Sequence, residues 1–357
     1  MSEPSTAGSE PSSAAVDGPA QTQEAAALVR DEEIWFSDGN VVLEAQGRVF
    51  RVYQGLLSRD SEVFRDLFTI PQPSSEETYD GCAVVHLMDH PEELRHLLRV
   101  IFDGKRYYHS NHQLDFSIVA ALVRLSNKYQ VDYVRDIYLS RMTSCFCTDL
   151  KTWDAVRSKH GSSVMNFSDK DAIAAVNIVR LTGASSMLPS AMYLCCQLDT
   201  ELLLQGSPRL DGTLECLSLQ DLAACINARS SLVRVAISSS LDVLDPSKPS
   251  LQCDNMRCRR TVESMRRRIL DGGSPARGLA PSDVLISEVP NIRNAQRLHF
   301  TGSDLCQNCG DVLCSAEQCR RNQFWEGLPK HLSVGIAIPA DWPHAQNPPS
   351  SSYVSSI

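Results

Sequence analysis

Apolar and polar positions alternate most clearly between residues 41 and 52. Val41 to Ala45 and Arg48 to Val52 are short apolar runs separated by Gln46-Gly47, and in the second run Phe50 and Val52 share one face. This spacing predicts a β-hairpin. Residues 83–88 form a third, mostly apolar run with two β-branched residues, and it predicts another strand.

Helical periodicity follows these runs. After Pro91, four apolar residues repeat at i, i+3, i+4 and i+7 up to Gly104, which predicts a helix. Two short helices between 54 and 68 and a helical pair from 115 to 142 are predicted in the same way. Beyond about residue 150 strand patterns become scarce, and Ser218 with Asp221 forms a capping box before a long apolar stripe.

The two ends of the chain differ in composition from its middle. Residues 1–30 carry four carboxylates, one Arg and no aromatic residue, so they cannot bury enough apolar surface to offset their ordering entropy. Residues 343–357 are rich in Pro and Ser. We therefore predict a disordered leader at 1–30, domains at 32–148 and 149–342, and a disordered tail at 343–357.

Charge and cysteine content narrow the class of protein. The net charge of -9 disfavours broad contact with nucleic acid, and neither a membrane-length apolar run nor a secretory leader occurs. Thirteen Cys is an odd number, which fits reduced thiols or metal binding better than a disulfide framework. We expect a soluble protein of the cytoplasm, the nucleus or both, without membrane contact.

Several motifs of the first half resemble a BTB/POZ domain. The segment from Asp38 to Phe68, DGNVVLEAQGRVFRVYQGLLSRDSEVFRDLF, is similar to the opening of such a domain, where a hairpin leads into a helix pair. Residues 89–92 and the segment from Leu122 to Val134, LVRLSNKYQVDYV, are similar to its later helices. The resemblance covers about residues 33–142 and implies an α+β fold with a small sheet flanked by helices.

The second half resembles BTB proteins of higher fungi, of the basidiomycete type. The shared features are the phrase LSLQDLAACINARSSL at 217–232, a Cys pair, a Cys-x-x-Cys helix, the phrase FWEGLP at 324–329 and a final Trp at 342. This similarity implies an all-helical C-terminal domain. It implies architecture more than mechanism.

Two Cys pairs are the best candidates for bound chemistry. Their spacings are Cys-x4-Cys and Cys-x2-Cys, about 47 residues apart, and two short Cys loops can supply the four thiolates of a tetrahedral structural zinc site. The candidate ligands are Cys253, Cys258, Cys306 and Cys309. Packed reduced thiols are an almost equally weighted alternative, and a disulfide is a third. Cys314 and Cys319 are spare ligand candidates.

An Arg-rich segment lies beside the first Cys pair. Residues 257–268 contain six Arg, which invites a DNA-contact interpretation because Arg neutralises phosphate and reads guanine. Val262, Met265 and Ile269 repeat at helical spacing among them. This pattern is typical of an ordinary amphipathic helix with a solvated face, which we favour.

Motifs for catalysis are absent from the sequence, so we expect a non-catalytic protein without a small-molecule substrate.

BTB domains associate through their first strand and first helices, which implies self-association or contact with another protein. The candidate interface residues are Trp35, Val41, Leu43, Leu56, Leu57, Val63, Phe64 and Phe68. For each of them, burial in the chain's own core is the alternative. Two other functions stay open, a BTB-type transcription regulator that touches DNA through residues 257–268 and a substrate adaptor that docks a cullin.

Overall fold

A computed structural model describes residues 28–69, 77–104, 112–248, 253–271, 284–285, 305–332, 339 and 341–343. The predicted leader falls outside these ranges except for residues 28–30, and the predicted tail falls outside them except for residue 343. The prediction for the leader is wrong at its last residues, because the first strand already begins at Val29. The predicted domain boundary at 148 stays a prediction.

Five strands form one mixed sheet near the start of the described chain. They are β1 Val29–Trp35, β2 Val41–Ala45, β3 Arg48–Val52, β4 Thr78–Tyr79 and β5 Cys82–Leu87. β2 and β3 pair antiparallel around a turn at Gln46 and Gly47, both with positive φ. β5 runs parallel to β2, β4 pairs with β5, and β1 runs parallel to β3, so the order is β1-β3-β2-β5-β4. The predicted hairpin and third strand are confirmed.

Five helices complete this part of the chain. They are α1 Gln54–Asp60, α2 Glu62–Thr69, α3 Pro91–Asp103, α4 Phe116–Lys128 and α5 Asp132–Thr143. Ser61 separates the first two helices and caps α2, because its hydroxyl accepts a hydrogen bond from the amide of Phe64 at 3.0 Å. All five helices lie where their periodicity predicts them. We call residues 28–143 the sheet unit.

The remainder of the described chain is mainly helical. Its helices are α6 Leu150–Lys159, α7 Ala172–Thr182, α8 Leu188–Cys195, α9 Thr200–Gln205, α10 Leu219–Val243, α11 Met256–Leu270 and α12 Gln307–His331. Ser218 caps α10 by accepting the amide of Asp221 at 3.1 Å, as the sequence predicts. In the described ranges, no helix combines the length and the apolar character needed to cross a bilayer.

The prediction that this region is entirely helical needs a correction. Three two-residue strands occur beyond residue 148, and a fourth lies just before α4. They are β6 Leu114–Asp115, β7 Met165–Asn166, β8 Ser207–Pro208 and β9 Leu214–Glu215. β6 pairs with β7 and β8 pairs with β9, and each pair is a two-stranded sheet separate from the five-stranded one. Segments this short have too few residues to show an alternating pattern.

One apolar core runs through most of the molecule. It extends from Ile34 in β1 to Trp342, and it includes residues of the sheet unit as well as of α6 to α8 and α10. A second, smaller core lies between the end of α10, α11 and the start of α12, around Val262 and Leu313. The Cys pairs belong to this second core.

A buried carboxylate holds β1 in place. The Asp31 side chain is 0% exposed and accepts the amides of Ile34 at 2.9 Å and Glu33 at 3.0 Å. The guanidinium of Arg95 on α3 pairs with it at 2.7 Å. These bonds replace regular pairing where the register of β1 against β3 is interrupted, and they join the strand to the helix behind it.

Replacing Asp31 by Ala is expected to lower the free energy of unfolding by about 3 kcal/mol, because the amides of Ile34 and Glu33 lose their acceptor and the largely buried Arg95 keeps only its ion pair with Glu92. Burial opposes ionisation of Asp31, but the Ile34 amide and Arg95 outweigh it and lower the pKa of the carboxyl. The stabilisation is therefore present above the ordinary carboxyl pKa and is lost as pH falls through the lowered one. Urea unfolding at neutral and acidic pH measures both effects, with Glu32→Ala on the same strand as the exposed control.

Candidate metal centre

Four thiols meet at one place in the second core. The Sγ atoms of Cys253, Cys258, Cys306 and Cys309 all lie within 4.8 Å of one another, and those of Cys253 and Cys306 are 3.9 Å apart. In a tetrahedral zinc–thiolate site with bonds of about 2.3 Å, neighbouring sulfurs are about 3.8 Å apart. The two Cys pairs that spacing singled out are thus brought together at distances that suit one metal ion.

Two helix N-termini position these thiols. Cys306 is the N-cap of α12, and its sulfur accepts the amide of Cys309 at 3.5 Å. On the other side, Asn255 caps α11 by accepting the amide of Arg257, which places Cys258 in the first turn of that helix. The amide of Cys306 donates to the sulfur of Cys258 at 3.1 Å. Hydrogen bonds from backbone amides to the sulfurs, together with the positive ends of the two helix dipoles, favour negative charge on these thiols.

The thiols differ in acidity. The amide of Cys309 donates to Cys306 and lowers the pKa of that thiol to about 7. Burial raises the pKa of Cys258 and of Cys309, which are 1% and 2% exposed. Burial therefore opposes ionisation of the deeper pair, and a bound cation would offset that cost by replacing the protons. The cluster could hold a metal ion through all four sulfurs.

The alternatives for these cysteines can be compared with the geometry. All thirteen Cys are free thiols, and a separation of 3.9 Å is far from the S–S bond length of about 2.05 Å. The disulfide alternative therefore does not describe this conformation. Among the described residues, Cys314 and Cys319 lie outside the cluster. Cys314 packs on the second core, and Cys319 is exposed.

The Arg-rich segment lies on α11. Five of its six Arg are exposed and Arg266 is partly buried, while Val262 and Ile269 pack into the second core. Arg267 pairs with Glu263 one turn away at 3.2 Å. The prediction of an amphipathic helix with a solvated basic face is confirmed, and contact with DNA stays a prediction.

The eight candidate interface residues separate into three groups. Val41, Leu43, Leu57 and Phe64 are at most 3% exposed, so the chain's own core uses them and they are unavailable for an interface in this conformation. Trp35 lies on the opposite face of the sheet, edge-on to Tyr79 at 5.9 Å. Leu56, Val63 and Phe68 are partly exposed on α1 and α2.

The described residues from 144 onward are called the helical region. A cleft that the sequence did not indicate lies where the sheet unit meets this region. It has a volume of about 730 Å³ and is open to solvent on one side. Its walls come from the start of α4, the end of α6, β7, the start of α7 and β8. No local pattern could signal it, because its residues are spread over about a hundred positions of the chain.

A scan against models of protein families found no match, and a search of curated proteins found no similar one.

Proposed function

We propose that this chain is a non-catalytic protein-interaction module of the BTB/POZ type, and that it associates first of all with a second copy of itself. The order of the elements supports this proposal. A hairpin is followed by a helix pair, a strand, a helix and a further helical pair. The sequence resemblance assigns the same order to a BTB/POZ domain.

The observation that carries the proposal is a set of partly exposed apolar side chains on α1 and α2. We call Leu56, Val63 and Phe68 the α1–α2 patch. Tyr133 on α5 adjoins it, since its hydroxyl donates to Asp60 at the end of α1 at 3.4 Å, and its side chain is exposed. Val63 and Phe68 also pack in part against the large core, so the patch is the surface that they and Leu56 leave exposed. Apolar surface left exposed on neighbouring helices is typical of an association surface, and a self-complementary surface gives a symmetric dimer.

Light scattering of the full chain at tens of micromolar tests the association. We expect a mass above that of one chain, and we expect the double variant Leu56→Asp/Val63→Asp to scatter as a monomer, because two carboxylates would have to be desolvated in the interface. The matched control is Leu204→Asp/Leu219→Asp, which places the same charges at two exposed Leu on α9 and α10, outside the patch. A wild-type chain that is strictly monomeric would contradict the proposal.

We further propose that the metal ion of the four-thiol cluster is zinc with a structural role. Four sulfur ligands without an exchangeable position suit zinc, which is bound in this way in closed structural sites. Protein purified without chelator is expected to contain about one zinc per chain by elemental analysis. A folded preparation that contains no metal would contradict this assignment.

A further inference from the structure

The cleft between the sheet unit and the helical region has walls whose acidic groups are already bonded. Three carboxylates line it, and each accepts hydrogen bonds from the chain itself. The bonds are Asn166 Nδ2 to Asp115 at 2.8 Å, the Ser168 amide to Asp171 at 2.7 Å, and Asn177 Nδ2 to Glu215 at 2.6 Å. These carboxylates therefore have reduced capacity to bind a cationic ligand.

The basic groups of the cleft are less completely used. Lys159 at the end of α6 and Lys170 before α7 are exposed, and neither forms an ion pair within the described part of the chain. Arg124 and Arg209 share the carboxylate of Glu215 at 3.3 and 3.4 Å. Arg209 makes this contact through its Nε, and Arg124 also pairs with Glu93 at 3.2 Å. The buried Nε–H of Arg124 has no hydrogen-bond acceptor among the described residues. The cleft thus has a basic rim and a donor in its wall.

Apolar side chains line another part of the cleft. Pro208 and Leu210 are exposed lining residues, and Phe116 and Phe167 lie behind them at 4% and 6% exposure. The combination of an apolar surface with a basic rim suits a ligand that has apolar and acidic groups side by side. The volume lies within the range of about 300–1,000 Å³ that is usual for ligand sites. Its open side admits a chain that continues beyond it.

We propose that this cleft binds a short acidic peptide segment of a partner protein, with carboxylates at Lys159 and Lys170 and an apolar side chain against Pro208 and Leu210. The proposal rests on the proposed function, since it names the class of partner that an interaction module would carry. The cleft is separate from the α1–α2 patch, so self-association and peptide binding use different surfaces of one chain.

Selection from a random-octapeptide phage library against the full, zinc-loaded chain tests the proposal. We expect the selected peptides to be enriched in Asp and Glu with at least one aromatic residue. Synthetic copies, labelled with fluorescein, should bind at least 10-fold more weakly to Lys159→Glu/Lys170→Glu, and Lys159→Gln/Lys170→Gln should show a smaller loss. The matched control is Lys151→Glu/Lys330→Glu, which makes the same charge change at exposed positions outside the cleft and should bind as wild type does.

Each other outcome overturns the proposal. Failure to select peptides, selection of neutral or basic peptides, or equal binding to the cleft and control variants would do so. Labelled duplex DNA that binds more tightly than the peptides and loses affinity in the same cleft variant would assign the cleft to nucleic acid. Light scattering of Lys159→Glu/Lys170→Glu separates the two proposals, because self-association should persist in it. Loss of peptide binding in a chain that still associates removes only the cleft proposal.

Discussion

Replacing Trp325 by Ala is expected to lower the free energy of unfolding by about 4 kcal/mol. Trp325 is 1% exposed and lies between Trp153 and Trp342, with ring centres 5.3 Å from each. Its indole N–H donates to the carbonyl of Thr148 at 2.6 Å, and Trp342 in turn donates to the carbonyl of Trp325 at 3.1 Å. The substitution therefore opens a large cavity and leaves the partly buried carbonyl of Thr148 without its donor.

Urea unfolding followed by circular dichroism measures this loss. Trp325→Phe keeps a ring in the site but cannot donate to Thr148, so it should cost less, about 1 to 2 kcal/mol. Asn322→Ala, one turn earlier on the exposed side of α12, is the control and should change the stability by less than about 0.5 kcal/mol. If Trp325→Ala is as stable as this control, the packing of α12 against α6 through Trp325 does not contribute to the free energy of unfolding.

The sequence predicts local structure well wherever one segment carries its own signal. The β2–β3 hairpin has alternating residues on both sides of Gln46-Gly47, α3 has Pro91 and Gly104 at its ends, and α10 has its cap at Ser218. In each case the pattern and the end signal lie within one short stretch. These elements therefore form as expected.

β1 shows why the remainder could not be predicted. Its sequence, VRDEEIW, has three acidic residues in a row, which no alternation pattern identifies as a strand. It is held by parallel pairing with β3 and by the buried pair of Asp31 and Arg95, both of which are contacts between distant positions. The two-residue strands and the burial of Val41 and Phe64 depend on such contacts too.

The four cysteines of the candidate metal centre were predictable from the sequence, but the way in which the fold positions them was not. Spacing identifies the two Cys pairs, but it does not reveal that Cys306 caps α12 or that its amide donates to Cys258. The cleft was not predictable at all, since Lys159, Lys170 and Arg209 have no shared motif. Sites built by tertiary packing require the structure.

If the four thiols hold the proposed zinc ion, replacing Cys309 by Ser is expected to release it and to open the second core. Cys309 is buried between α11 and α12 beside Val262 and Leu313, and a hydroxyl is a poor substitute for a thiolate ligand. Zinc contributes on the order of 10 kcal/mol to the folding of small zinc-bound domains, which is more than a core of this size supplies alone. We therefore expect α11 and the first turns of α12 to lose protection against amide hydrogen exchange.

The sheet unit should retain its protection in the same variant, because its core is separate from the second one. Hydrogen exchange measured by mass spectrometry, with elemental analysis of the same sample, tests both statements. The matched control is Cys319→Ser, which replaces an exposed thiol of α12 outside the cluster and should leave zinc content and exchange unchanged. Removal of the metal by chelator should reproduce the Cys309→Ser pattern in the wild-type chain. If the metal-free chain instead exchanges as slowly as the untreated one, the four thiols are packed without a structural metal, and the second core is stable through its apolar contacts alone.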